Sequence, residues 1–176
     1  MANESLGLMH VYTGNGKGKS SAAFGLALRA WGQDLRVCII QWIKSTEYSG
    51  EFKAVSALKG VEIRQFGAGR FFGKEAPSPE DIMLAEEGLE FAERALSSGD
   101  FDLVVLDELN VAVHLNLLDP NRVAKVLKGR ANGVEVVVTG RYAPSSFYDI
   151  ADYVTEFHAV KHPFKKGIPA RRGIEY

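Results

Sequence analysis

The sequence predicts an α/β protein: a mainly parallel six-stranded sheet with helices on both faces. Three observations carry this expectation. Six short apolar runs rich in β-branched residues recur along the chain, and runs that are apolar throughout are those of strands buried on both faces. Helix-like segments stand between successive runs, the connection that parallel pairing demands. The first run also empties into a glycine-lysine stretch that opens a helix, the order of a phosphate-binding strand, loop and helix.

The first strand is Leu8 to Thr13, and Tyr12 to Ser21 reads YTGNGKGKSS. Gly14, Gly16 and Gly18 allow backbone turns closed to residues with a Cβ, so successive N–H groups can face phosphate oxygens. Lys19 adds a point charge, and Ser20 offers a hydroxyl to a Mg²⁺ bound to the same phosphates. The helix that follows, Lys19 to Trp31, turns its positive dipole end to the same anion and stops at Gly32. The common pattern G-x-x-x-x-G-K-[ST] wants glycine where this chain has Thr13, so the loop is in effect one residue short and a nucleotide is expected to sit differently in it. A plain glycine-rich turn is the competing reading, which the ordered succession of strand, loop, lysine, hydroxyl and helix disfavours. Arg29, ten residues after Lys19, either reaches back to nucleotide or forms a surface pair.

The second strand, Leu35 to Trp42, holds Cys38, the single cysteine; with no partner it reads as a buried structural thiol. Val61 to Phe66 is the third. Between Phe66 and Ser78 the sequence GAGRFFGKEAP is too glycine-rich for regular structure, and it carries Arg70, Phe71 and Phe72. The two aromatics either present a flat apolar surface to a ligand or tuck under the loop as local core. Pro79 to Leu96 is the best-marked helix: Ser78 caps it, Pro79 suits its first position, and Glu80 and Asp81 favour its N-terminal dipole. Ile82, Ala85, Leu89, Ala92 and Leu96 share one face, and Glu86, Glu87, Glu90 and Glu93 form a solvated one.

The fourth strand, Phe101 to Asp107, runs straight into two carboxylates, FDLVVLDE. A buried strand that ends in acid beside a phosphate loop puts a carboxylate where Mg²⁺ binds. Strand alternation sends Asp107 and Glu108 to opposite sides, so spacing does not say which one touches the metal. Pro120 to Lys128 is a short helix, Val134 to Thr139 the fifth strand, Pro144 to Ile150 another short helix and Tyr153 to Val160 the sixth strand. Carboxyl ends of parallel strands line the ligand crevice, so Arg141, just past the fifth strand, either meets phosphate or substrate or stands as a surface arginine. The tail KHPFKKGIPARR has five Lys or Arg residues and no acid. It can cover a polyphosphate or remain solvated.

Composition bounds the function. At 176 residues and 46% hydrophobic content, residues 1–176 make one domain with ample core. A formal net charge of −1 gives no reason to expect nucleic acid or an anionic membrane as partner. The start has no signal-peptide character and no apolar run approaches a membrane span, so a reducing cytoplasm fits. His10, His114 and His158 have no metal-ligand spacing with one another or with Cys38, and His162 is a weak candidate for chemistry.

Taken together, YTGNGKGKSSAAFGLALRAWG, IIQWIKS, FDLVVLDELN, VVVTGR and the terminal KHPFKKGIPARRGIEY resemble the P-loop class of ATP:corrinoid adenosyltransferases over nearly the whole chain. The resemblance implies a RecA-like fold and transfer of the 5′-deoxyadenosyl group of ATP to the Co(I) of a reduced corrinoid, cobalamin or an earlier ring precursor such as cob(I)yrinic acid a,c-diamide, with release of triphosphate. It implies ATP as co-substrate, Mg²⁺ or Mn²⁺ as metal, a homodimer, and a flavoprotein electron donor. By the same resemblance Gly14, Asn15, Gly16, Lys17, Gly18, Lys19 and Ser20 hold the triphosphate, Lys19 and Arg29 act on the nucleotide, and Glu108 with Asp107 beside it serves the metal. Arg70, Phe71 and Phe72 fall on the corrinoid side, and Arg141 joins them only by its position just past the fifth strand. The family sets aromatics of the glycine-rich loop against the corrinoid's lower face; here Phe72 takes the tryptophan-like position and Arg70 departs from the aromatic one.

Two other functions share the motifs. An ordinary P-loop ATPase or phosphotransferase would use Glu108 and Arg141 around the γ-phosphorus. A non-catalytic module would bind nucleotide or corrinoid without turnover.

Overall fold

The computed structural model describes residues 5–44, 49–69 and 76–175. Every strand expected from the sequence is present. β1 (Met9–Thr13), β2 (Val37–Trp42), β3 (Val61–Phe66), β4 (Leu103–Asp107), β5 (Glu135–Thr139) and β6 (Tyr153–Glu156) form one sheet in the order β3-β2-β4-β5-β1-β6. Every pair is parallel, in registers such as Val11 beside Val138 and Ile39 beside Val105. The RecA-like P-loop architecture follows: β5 and β4 lie between β1 and β2, and the chain returns to fill the gap.

Strict alternation divides the buried strand residues between two helical layers. On one face Met9, Val11, Cys38, Ile40, Val104, Leu106, Val136 and Val138 pack under α3 (Pro79–Ser97) and α5 (Pro120–Lys128). On the other, Val37, Ile39, Leu103, Val105 and Val137 meet Ala23, Ala27 and Ala30 of α1 (Lys19–Trp31). Burial of each large aliphatic side chain contributes about 1.5–3 kcal/mol. Small alanines let α1 lie close on the sheet, which places its first turn directly above the end of β1. Cys38 is fully buried, and burial pushes its thiol up to about 12. That is an inert structural thiol, as expected.

The helix starts also match. Ser78 and Asp81 form a reciprocal capping box with Pro79 in the first turn of α3. The Asp119 carboxylate caps α5 by accepting from the N–H groups of Asn121 and Arg122. On α3 the buried face comprises Ala85, Leu89, Ala92 and Leu96, whereas Ile82, expected there, is 40% exposed and Asp81 takes its place through the capping box. Glu87, Glu90 and Glu93 face solvent, and Glu86 pairs with Arg122.

Other differences lie in short segments. α2 (Gly50–Ser56) and α4 (Leu109–His114) add helices where none was expected, and the helix expected over Pro144 to Ile150 is only α6 (Ser145–Tyr148). β6 stops at Glu156 rather than Val160. Its neighbour β1 ends at Thr13, whose carbonyl takes the Phe157 N–H at 2.9 Å. Beyond it the backbone bonds the phosphate loop instead of a strand. All four residues of β6 are exposed, so helical cover does not extend to this edge of the sheet.

Candidate functional site

The loop between β1 and α1 is built by glycine at two levels. Gly14 and Gly18 have φ of 93° and 119°, a region that a Cβ disfavours. At Gly14 and Gly16 a Cβ would also lie 2.5–2.9 Å from the backbone of Phe157 and its neighbours, so the loop presses on the segment after β6. Gly18 caps α1 with no side-chain hydrogen bond, which leaves the first N–H groups of the helix unclaimed by any capping side chain and suited to an anion.

Lys19 is 9% exposed and its Nζ donates to the carbonyls of Gly14 and Gly16, each at 2.8 Å. The side chain thus grips the loop from within. Burial pushes its ammonium below the usual lysine range; Glu108 and Asp107 oppose that shift, and the Arg141 charge adds to it. The loop lysine, the strand-end acids and Arg141, separated by up to 122 positions in sequence, therefore share one electrostatic field at the carboxyl ends of β1, β4 and β5.

The two adjacent acids have different surroundings. Asp107 is fully buried: Oδ1 accepts from the Thr139 hydroxyl at 2.7 Å, and Oδ2 from Lys44 Nζ at 2.8 Å and Gln41 Nε2 at 2.9 Å. Burial alone would raise its pKa, but Lys44, Thr139 and Gln41 outweigh that and hold it below the usual carboxylate range. Glu108 adopts a left-handed backbone, φ 62°, and its N–H donates to Thr139 Oγ1 at 3.1 Å. Burial and the neighbouring Asp107 push its carboxyl above the ordinary range, against the pull of Lys44, Lys19 and Arg141. No described residue donates a hydrogen bond to the Glu108 side chain. Asp107 is therefore satisfied within the protein, while Glu108 is the acid with coordination capacity to spare.

A hydroxyl on the first turn of α1 and one unpartnered carboxylate fit Mg²⁺, which takes one or two protein ligands and completes its octahedron with phosphate and water. Among the described residues there is no group of three or more His, Cys, Asp or Glu that could hold a metal by itself.

The other expected residues are placed as follows. Arg141 follows β5 at the mouth of the site and is exposed. Arg29 lies in the last turn of α1, also exposed, about 15 Å along the axis from Lys19; its charge acts on the Tyr12 phenol, which burial raises and Arg29 lowers. Arg70, Phe71 and Phe72 lie outside the described residues. Asn15 Oδ1 accepts from the Ala159 N–H at 3.1 Å, and the Lys17 ammonium bonds Glu175. His10 is structural: its Nε2 lies 2.7 Å from Glu135 Oε1 and its ring stacks on Tyr153 at 4.5 Å. His114 stacks on Tyr142 at 4.1 Å. His162 accepts from the Phe164 N–H within the tail.

Sequence reasoning missed Gln41 and Lys44 at the end of β2, Thr139 as the bridge between the two acids, and Asn110. The last is fully buried, donates to Gly140 O at 3.1 Å and leaves its Oδ1 unpartnered. A polar residue at the end of an apolar strand or in the first turn of a helix after one was the available signal.

The protein-family model described as ATP:corrinoid adenosyltransferase BtuR/CobO/CobP matches residues 5–176. The chain is 40% identical over 176 residues to the corrinoid adenosyltransferase of Pseudomonas aeruginosa, covering 99% of this chain and 86% of that protein. It is 38% identical over 178 residues to the corrinoid adenosyltransferase CobA of Salmonella typhimurium, and 36% identical over 175 residues to the corrinoid adenosyltransferase of Escherichia coli K12, in each case over 99% of this chain and 88% of the relative.

Proposed function

The chain belongs to the ATP:corrinoid adenosyltransferase family, and on that premise we propose that it transfers the 5′-deoxyadenosyl group of ATP to the Co(I) centre of a reduced corrinoid and releases triphosphate. The observation that carries this reading is the shared field of Lys19, Glu108 and Arg141 around a glycine loop, with Glu108 lacking a donor among the described residues.

The Co(I) electron pair forms a bond to the ribose C5′, and the C5′–O bond breaks with its electrons leaving on the triphosphate. Neither reactant loses a proton, so no general base is needed. The task for the protein is to position C5′ and stabilise charge on the leaving group. Lys19, the loop N–H groups and the start of α1 do the latter, and Asn15, Gly16, Lys17 and Gly18 shape the cradle. Ser20 and Glu108 would hold Mg²⁺ or Mn²⁺, which supplies further neutralisation of the triphosphate. Asp107 stays in the second rank, orienting Lys44 and Thr139. Arg29 acts on the nucleotide from the far end of α1; Arg29→Ala is expected to raise the KM for ATP, and an unchanged KM would remove it from the site.

On the corrinoid side Arg141 lines the crevice, and Arg70, Phe71 and Phe72 belong to the loop that displaces the lower axial ligand of cobalt. Cob(I)yrinic acid a,c-diamide and cobalamin are the corrinoids in view. A homodimer, a flavoprotein electron donor and a cytoplasmic setting complete the proposal; no helix among the described residues is long and apolar enough to cross a membrane.

The test is an anaerobic assay with chemically reduced cob(I)alamin and MgATP. The expected result is the spectrum of a light-sensitive Co–C bond, with no turnover when either substrate is omitted. Corrinoid-independent release of ADP and phosphate would replace this reading with an ordinary ATPase, and nucleotide binding without turnover would leave a binding module.

A further inference from the structure

Three consecutive residues of the phosphate loop are each tied to the last part of the chain. The Ala159 N–H donates to Asn15 Oδ1 at 3.1 Å, the Gly16 N–H donates to Phe157 O at 2.6 Å, and Lys17 Nζ donates to Ile174 O at 2.9 Å and Glu175 Oε1 at 2.7 Å. The Glu175 carboxylate is in turn held by Arg171. Its Oε2 accepts from the Arg171 N–H at 2.8 Å and Nε at 3.2 Å, and its Oε1 from Arg171 Nη2 at 3.1 Å. The backbone closes the same turn, since the Ile174 and Glu175 N–H groups both donate to Arg171 O. Arg171 first, and Lys17 second, lower the Glu175 carboxyl to about 2, so at neutral pH the group is a carboxylate anion.

We infer that Glu175 is a positioning residue for the phosphate loop: by holding Lys17 against the 171–175 turn, it makes the end of the chain an external splint that pre-shapes the loop for a triphosphate. The inference rests on the proposed function for the identity of the loop's occupant. A loop with glycine at 14, 16 and 18 has many conformations to lose on closing around an anion, and every residue fixed adds to the entropic cost of binding. Lys19 braces the loop from within through Gly14 and Gly16, and the splint braces it from outside. Ordering before the ligand arrives appears as affinity. The Gly16 N–H is already committed to Phe157, so this donor braces the loop and is not among those left for the phosphate.

The experiment is calorimetric titration of MgATP and of magnesium tripolyphosphate into the wild-type chain, Glu175→Gln, Glu175→Asp and a chain ending at Gly173, with thermal melts alongside. Glu175→Gln and the shortened chain are expected to bind both ligands roughly three- to tenfold more weakly, with melting temperatures unchanged, and Glu175→Asp to stay near wild type. In steady state Glu175→Gln should raise the KM for ATP and leave kcat and the corrinoid KM unchanged. A general loss of fold would instead lower kcat. Unaltered affinity in both Glu175→Gln and the shortened chain overturns the inference. Tighter binding also overturns it, because the carboxylate would then be a competitor of the phosphate. A wild-type chain that binds both ligands yet forms no Co–C bond defeats the adenosyl-transfer reading alone, since the splint is read from binding.

Discussion

The Thr139 hydroxyl donates to Asp107 Oδ1 at 2.7 Å while its oxygen accepts the Glu108 N–H at 3.1 Å. One side chain at the end of β5 therefore fixes both acids at the end of β4. Asp107 is anchored in the core, and the backbone of Glu108 is turned into the left-handed conformation at which α4 begins. The division of labour between two adjacent carboxylates rests on this hydroxyl together with Lys44 and Gln41, which hold the other Asp107 oxygen.

Thr139→Val should destabilise the chain by about 1–3 kcal/mol, because a fully buried carboxylate loses a donor and Glu108 N–H an acceptor. Thr139→Ser should recover most of that. Urea unfolding of the two variants checks it; a Thr139→Ser variant less stable than Thr139→Val would mean that the methyl, not the hydroxyl, matters.

The two acids act on stability with opposite sign. The Asp107 carboxyl is held below its ordinary pKa, so its contribution is present above about pH 3.9, the unfolded value, and is lost as pH falls through the lower folded value. The Glu108 carboxyl is raised, so it favours the fold below about pH 4.3 and that benefit is lost as pH rises through the folded value. Glu108→Gln should therefore melt at a higher temperature than wild type at pH 7, with the difference shrinking towards pH 4, while Mg²⁺-dependent activity falls. A lower melting temperature at pH 7 contradicts the assignment.

Lys19→Ala removes the cation nearest the loop carbonyls and should lower kcat by roughly 10²–10³-fold, the scale of losing one preorganised charge-stabilising group. Stopped-flow spectroscopy with pre-reduced corrinoid isolates this step. A change confined to the KM for ATP would make Lys19 a binding group only.

Two glycines make a paired test. In Gly16→Ala the new Cβ would sit 2.8 Å from the Phe157 carbonyl, which is backbone and cannot swing away; overpacking of this kind costs about 1–3 kcal/mol. Gly25→Ala, mid-helix in α1 with nothing within 4 Å of the added Cβ, should stabilise by about 0.5–1 kcal/mol. Thermal melts of both read the contrast, and MgATP affinity should fall only for the first.

The strands and the three longer helices were legible because fully buried apolar runs and capped, amphipathic segments leave periodic signals. The phosphate loop was legible because its chemistry is contiguous. α4 was not: LNVAVH has no cap from a side chain and starts from a left-handed Glu108, so nothing local announces it. Nor was the hold on Asp107, where Gln41 lies 66 positions away and Lys44 lies 63. The Lys17–Glu175 tie spans 158 positions. Such contacts are consequences of strand order, and strand order is not written in any one segment. The placement of β4 between β2 and β5 brings Lys44 and Thr139 to the same carboxylate from opposite sides.

The central claim is attack on carbon rather than phosphorus, and phosphorus-31 NMR of a completed reaction between cob(I)alamin and MgATP tests it most directly. One triphosphate per adenosylated corrinoid, with no ADP, is the result predicted. ADP and orthophosphate in place of triphosphate would contradict it.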